Sequence, residues 1–159
     1  MTPPISYLRE CFLYNPNTGY LVWKHRPLHH FKSSKEQKKW NNQYPGKVAG
    51  SKFKSGNNEY ILIRLQGGQA QIYAHRIIWA LVKGHWPLTR APSHINDIGT
   101  DNRWVNLSPA KGGARGTTRT PEGRWMARIS SGGVSHYLGT FDTEEEAHEA
   151  YERAKSLPD

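Results

Sequence analysis

The clearest periodicity in the chain lies at HRIIWALVKG, residues 75–84. Ile78, Trp79, Leu81 and Val82 give it an apolar face, and Gly84 is a stop signal. Just before it, EYILIRL and AQIYA are strand-like runs separated by Gln66-Gly67-Gly68-Gln69, so residues 59–74 predict a hairpin. Near the N-terminus, Tyr7, Leu8, Phe12 and Leu13 suit a short amphipathic helix. Asn15 to Gly19 is turn chemistry, and Tyr20 to Trp23 reads as a short strand. Residues 24–47 show no periodicity and read as a basic, polar loop with at most one helical turn. That loop is either solvated surface or an arm that contacts phosphates, with Phe31 and Trp40 interleaved. His85 to Ala91 is a Trp-Pro turn, and residues 93–110 hold two short extended pieces around a polar loop. Pro109 and Gly112-Gly113 then break the chain, which divides it into 1–110 and 111–159.

The second part is easier to read. RGTTR is a strand and Thr120 to Gly123 a turn. RWMARIS alternates, with Trp125, Ala127 and Ile129 on one face and Arg124, Met126 and Arg128 on the other. A second turn at Ser130 to Gly133 leads into a third strand, VSHYLGTF. Thr143 is a good N-cap, and Glu146 completes a capping box with it. Ala147, Ala150, Tyr151 and Ala154 then recur at helical spacing, a face of small residues that packs on the sheet. The expected unit is a three-stranded antiparallel sheet backed by one helix, in a chain that is α+β as a whole.

Charge sharpens this picture. The net charge is +9, and it is unevenly spread. Residues 1–110 carry 15 Lys and Arg against 5 Asp and Glu, whereas residues 111–159 carry 7 against 8. Within the second part, Glu144, Glu145, Glu146, Glu149 and Glu152 sit on the helix, while Arg115, Arg119, Arg124 and Arg128 belong to the strands. One sheet face is therefore expected to be basic. Strands that enter the major groove place Arg on bases and phosphates in this way. Hydrophobic content is 36%, which limits the cores to small ones, and six Trp and eight Tyr partly compensate. The lone Cys11 has no disulfide partner in the chain, no Cys/His cluster has zinc-finger spacing, and no apolar run approaches a membrane span. The expected setting is a reducing cytoplasm without membrane contact.

The C-terminal pattern resembles the AP2 domain of plant transcription factors and phage homing endonucleases. The resemblance rests on Arg115-Gly116, Pro121, Gly123, Trp125, Ala127, Ile129, Leu138-Gly139-Thr140-Phe141-Asp142-Thr143, Glu145-Glu146-Ala147 and Ala150-Tyr151. It implies DNA-facing roles for Arg115, Arg124, Arg128 and Tyr137, with Arg119 on the same strands. Thr118, Thr120, Glu122 and Ser130 depart from the plant pattern, so the plant sequence preference does not carry over.

The N-terminal part resembles phage HNH endonucleases of the homing type. The matching pieces are Tyr14-Asn15, Thr18-Gly19-Tyr20-Leu21, Trp23, Gly46-Lys47, Ala49-Gly50, His75-Arg76, Trp79, Gly84 and Pro87. They continue through His94-Ile95-Asn96, Asp101-Asn102-Arg103 and Asn106-Leu107. The resemblance implies a ββα-metal type of site in which one divalent ion, Mg²⁺ or Mn²⁺, assists phosphodiester hydrolysis. It makes His94 the general base and Asn106 the structural or orienting Asn, with Asn102 and Arg103 pinning the loop and Arg103 near a phosphate; Arg76, at a helix start, suits a phosphate contact or a capping or core role. The expected metal ligands are not matched. Ser93 stands where the family has Asp, and the second ligand would fall near Arg115, which already opens the next strand. No residue is therefore assigned to a metal, and the last helix of the finger reads as deleted. Asp97 or Asp101 could stand in for one ligand, and His85 or a residue of a second subunit for the other, only through a rearranged loop.

These readings give a double-stranded DNA-binding protein, an HNH-like region at 1–110 followed by an AP2-like domain at 111–159, with nuclease activity weakened or lost. The setting implied is a phage protein inside a host cell. Two alternatives stand beside it: an active metal-dependent endonuclease, and a regulator that binds a host nucleic-acid enzyme.

Overall fold

The computed structural model describes residues 2–65, 70–87, 91–109 and 116–157. Two compact units emerge, one built from Met1–Pro87 and Pro92–Ser108, the other from Leu88–Ala91 and Pro109–Asp159. The Gln66–Gln69 turn and Arg115, both singled out from the sequence, lie outside the described residues.

The first unit begins with helix α1 (Ile5–Cys11), strand β1 (Phe12–Tyr14) and strand β2 (Leu21–Trp23). Phe12 and Leu13 leave the helix expected for them and pair with Trp23 and Val22. The reason is tertiary: Leu8, Cys11 and Phe12 all enter one core, and an extended Phe12 lays its ring on Trp23 at 4.6 Å between centroids.

Helix α2 (Ser34–Gln43) corrects the loop expected over 24–47. Its start was written in the sequence: Ser33 Oγ accepts from Glu36 N at 3.2 Å, and Glu36 Oε2 accepts from Lys32 N at 3.2 Å. Its inner face is Gln37, Trp40 and Asn41, at helical spacing. The two amides do what aliphatic residues do elsewhere. Asn41 accepts from Arg26 N at 2.9 Å, and Asn41 and Gln37 both donate to Arg26 O. A helix docked through amides carries no apolar stripe to detect.

Strands β3 (Ser51–Ser55), β4 (Asn58–Leu65) and β5 (Ala70–Tyr73) form an antiparallel sheet in that order. β3 was not expected, because SKFKS is exposed throughout and is held by backbone pairing to β4. Helix α3 (Ala74–Lys83) follows β5 directly and ends at Gly84. Its Ala74, Ile77 and Ile78 join Ile63, Leu65 and Ile72 of the sheet and Leu8, Leu21 and Leu107 in the core. Short strands β6 (Ser93–His94) and β7 (Leu107–Ser108) close the unit.

The second unit has strands β8 (Thr117–Arg119), β9 (Trp125–Ser131) and β10 (Val134–Phe141), with β9 central and all pairs antiparallel. Helix α4 (Glu144–Ser156) packs on one face. Thr143 Oγ1 caps it by accepting from Glu146 N at 3.2 Å. Trp125, Ala127 and Ala147 form the core, with Leu138, Phe141 and Ala150 against it. Gly116 sits at φ +81, and a Cβ there would lie 2.0 Å from the Tyr151 ring, so only glycine allows the helix this close.

Candidate functional site

The loop between β6 and β7 is fixed against the β1–β2 turn. Gly19, in the β1–β2 turn, approaches so near that a Cβ would meet Arg103 N at 2.4 Å. Tyr14 Oη donates to Asn102 O at 2.6 Å, and Trp104 N donates to Pro16 O at 3.1 Å. Burial pushes the Tyr14 phenol up to about 12, so it remains the donor. Asn102, 2% exposed, then turns its side chain to His94: His94 Nε2 donates to Asn102 Oδ1 at 2.8 Å. Nε2 therefore carries the proton and Nδ1 the lone pair. His94 is itself 8% exposed.

Of the two roles expected for Asn106, the orienting contact to His94 is made by Asn102. Asn106 instead staples the loop. Its Oδ1 accepts from Asn96 N at 3.0 Å, and its Nδ2 donates to Asn96 Oδ1 and Asp101 O, each at 2.8 Å. Arg103 clamps Asp101 with two bonds, at 2.8 and 2.7 Å, and Asn96 donates to the same carboxylate at 2.8 Å. These bonds, Arg103's foremost, hold the Asp101 carboxyl well below the usual carboxylate range. Both Asp101 oxygens are engaged, and so is the Arg103 fork. Ser93 pairs with Ser108 across the β6–β7 ladder.

Behind His94 lies His75, on the first turn of α3 and 3% exposed. The two rings meet edge to face at 4.8 Å, and Tyr60 and Tyr73 cover His75 at 5.8 and 5.6 Å. Burial, then the neighbouring His94 and Arg76, pushes His75 down to about 3. The adjoining Arg76 is half-buried, its Nε without a partner among the described residues and its guanidinium 6.0 Å from the Trp86 ring.

Among the described residues, one group places three ligand atoms within reach of a single ion: Glu10, His29 and His30. His94 is not in it. His29 is exposed, but the His30 side chain is fully buried. Both Nε2 atoms stand 2.9 Å from Glu10 Oε2, yet His30 Nε2 and Glu10 Oε2 meet no hydrogen-bond geometry, so that contact is short and bent. The far side of His30 bears against a metal there. Arg26 Nε donates to His30 Nδ1 at 3.0 Å, so the ring's proton sits on Nε2, the atom a metal would need. A ligating histidine normally donates from its other nitrogen, and here that nitrogen faces a donor.

In the second unit, register decides which side chains share a face. Tyr137 pairs with Arg128, and alternation adds Met126 and Arg124 to that open face, away from α4. Arg124, Arg128 and Tyr137 are exposed. Arg124 leans on Asp142 at 3.1 Å, and Tyr137 Oη meets Thr140 Oγ1 at 2.7 Å. Arg119 is not among them. It pairs with Trp125, so it belongs to the helix-side face at the sheet's edge. On α4, Glu146, Glu149 and Glu152 are exposed, but Glu144 and Glu145 are half-buried.

Residues 72–109 match a family described as HNH endonuclease. That stretch runs from the end of β5 through α3 to β7, and so spans both His75 and the His94 loop. A curated protein, the ethylene-responsive transcription factor ERF084 of Arabidopsis thaliana, is 39% identical over 67 residues, 41% of this chain and 26% of that protein. The chain thus spans about a quarter of that relative's length. No solved structure matches it. No helix among the described residues is long and apolar enough to cross a membrane.

Proposed function

We propose that the chain is a double-stranded DNA-binding protein of the HNH homing-endonuclease type, with an AP2-like second domain and weakened or lost nuclease activity. The observation that carries DNA binding is the open sheet face. Arg124, Arg128 and Tyr137 gather on one side while exposed glutamates of α4 lie on the other. Arg128 has no ion-pair partner among the described residues, so its guanidinium is available to a phosphate or a base edge. Arg119 lies at the sheet's edge, and Arg115, Arg76 and Arg103 are proposed as further DNA contacts. The match to the plant transcription factor over part of the chain supports this reading. A phage protein acting on DNA inside its host fits it as well.

Loss of chemistry is supported by the ligand chemistry around His94. Ser93 offers only a neutral hydroxyl, and Asp101 spends both oxygens on Arg103 and Asn96. A hard cation such as Mg²⁺ or Mn²⁺ prefers carboxylates that are free to bind it.

One observation favours an active endonuclease. Asn102 holds His94 in the tautomer a general base needs, with Nδ1 unprotonated. A supercoiled-plasmid assay with Mg²⁺ or Mn²⁺, wild type beside His94→Ala, decides between them, with duplex binding measured on the same samples. Binding without nicking in both proteins is the expected result. Metal-dependent nicking that His94→Ala abolishes would overturn the loss of activity. No duplex binding at low salt would overturn the whole reading and favour a partner among host nucleic-acid enzymes.

A further inference from the structure

An open cavity of about 1320 Å³ lies beside α2, and its lining has a distinctive chemistry. Four cations, Arg26, Lys32, Lys39 and Arg64, share it with the rings of Trp23, Phe31, Trp40 and Tyr44. Glu36 is the one acidic residue of the lining, and its carboxylate is turned to the backbone of Lys32. None of the four cations has a carboxylate within ion-pair distance among the described residues.

Arg26 is the decisive member. It is 6% exposed, and a buried charge is costly unless something compensates it. Its protein partners are all neutral: Tyr7 Oη at 2.7 Å, His30 Nδ1 at 3.0 Å, and the faces of Trp40 and Phe31 at 4.7 and 4.9 Å. His30 cannot supply a negative charge, and burial with Arg26 beside it holds its pKa down, which keeps it neutral. Gln37 and Asn41 lock the Arg26 backbone to α2. The guanidinium is thus held at the wall of a cavity without a carboxylate at ion-pair distance among the described residues, Glu10 lying across the His30 ring from it.

We infer that this cavity receives an unpaired stretch of DNA strand, its phosphates on Arg26, Lys39 and Arg64 and a base on the Trp40–Tyr44 platform. Cations ask for an anion, and exposed ring faces ask for a flat partner. Trp40 and Tyr44 stack at 5.0 Å with Tyr44 outermost and 36% exposed. A nucleotide supplies both, but only when its base is out of the duplex, because pairing and stacking hide the ring face. The size agrees. Small-molecule pockets run to roughly 1,000 Å³ and enclose their ligand. This one is larger and open, which suits a strand passing through. The inference rests on the DNA-binding reading, and the test separates the two.

Affinity of the full chain is measured by fluorescence anisotropy for a blunt duplex and for the same duplex carrying a short single-stranded gap. The expected result is binding about tenfold tighter to the gapped DNA, the worth of one stacked base. Lys39→Glu and Tyr44→Ala should each erase that preference while leaving blunt-duplex affinity within about twofold, and Tyr44→Phe should restore it. Lys39 is exposed on α2, so its variant keeps the test valid if Tyr44→Ala unfolds. Equal binding of gapped and blunt DNA overturns the inference and leaves duplex binding intact. A preference that survives both variants also overturns it, because the unpaired strand then binds elsewhere. Gapped binding without blunt binding supports it and sinks duplex recognition. No binding to either DNA removes both.

Discussion

His75 should make the first unit acid-sensitive well above the pH at which carboxylates titrate. It is buried under Tyr60, Tyr73 and His94, and its Nδ1 has no hydrogen-bond partner. Its pKa lies at about 3 in the fold against an ordinary 6.5. The native state keeps it neutral, while the unfolded chain protonates it as pH falls through 6.5. Uptake by the unfolded state alone shifts the balance toward unfolding, so stability is full above pH 6.5 and declines steadily down to about pH 3. At pH 5 the loss is roughly 2 kcal/mol, from about 1.4 kcal/mol per pH unit over the 1.5 units below the unfolded value. Denaturant unfolding followed by tryptophan fluorescence at pH 7 and pH 5 reads this difference. His75→Gln carries its own packing cost at both pH values, but the difference between them should shrink by roughly 2 kcal/mol. His30, whose pKa is also held down by burial, supplies the acid sensitivity that remains. A His75 ring resonance that titrates near pH 6.5 by NMR would refute the argument at its root.

Two further outcomes follow from the second unit. Arg128→Ala removes an exposed side chain without an ion pair, so stability should change by less than about 0.5 kcal/mol. Duplex affinity should fall, and the slope of log affinity against log salt should drop by about one. Arg119→Ala, run beside it, tests the register, and a larger effect there than at Arg128 would show that the open face is not the binding face. Gly116→Ala forces a side chain to φ +81 and into the Tyr151 ring. With so few residues in that core, a loss of about 3 kcal/mol is expected, read as a lower calorimetric transition for this unit. An unchanged transition would mean that α4 is not held against Gly116.

How much of this was legible in the sequence depended on what holds each element. α3 and α4 bury apolar stripes, and β9 alternates, so their periods announce them. α2 docks through Gln37 and Asn41 on the backbone of Arg26, and no hydropathy pattern reports an amide that faces inward. Its capping box at Ser33 and Glu36 was the available signal. β3 needs only β4's backbone, so its residues are free to be polar. The site divides in the same way. His94 and Asn106 stood out through the resemblance to HNH endonucleases, which rests on short local motifs. Asn102 acts as the orienting residue because Tyr14 and the Gly19 turn, some eighty residues earlier, fix its backbone. Arg119 looked equivalent to Arg128 until register paired it with Trp125.

The same geometry ranks the basic residues, which a net charge of +9 cannot do. Arg103 is already clamped by Asp101, and Arg124 leans on Asp142. To reach a phosphate, each must first give up a carboxylate, and that exchange offsets much of the gain. Arg128, Lys52 and Lys54 have no such partner among the described residues, and the two lysines of β3 lie on a fully exposed strand. Counterion release on binding comes from cations that neutralise phosphates anew, so the salt dependence of this protein's DNA affinity should track the unpaired set. Arg103 then serves the first unit chiefly by holding Asp101 in place, and through Asp101 the loop in which Asn102 holds His94.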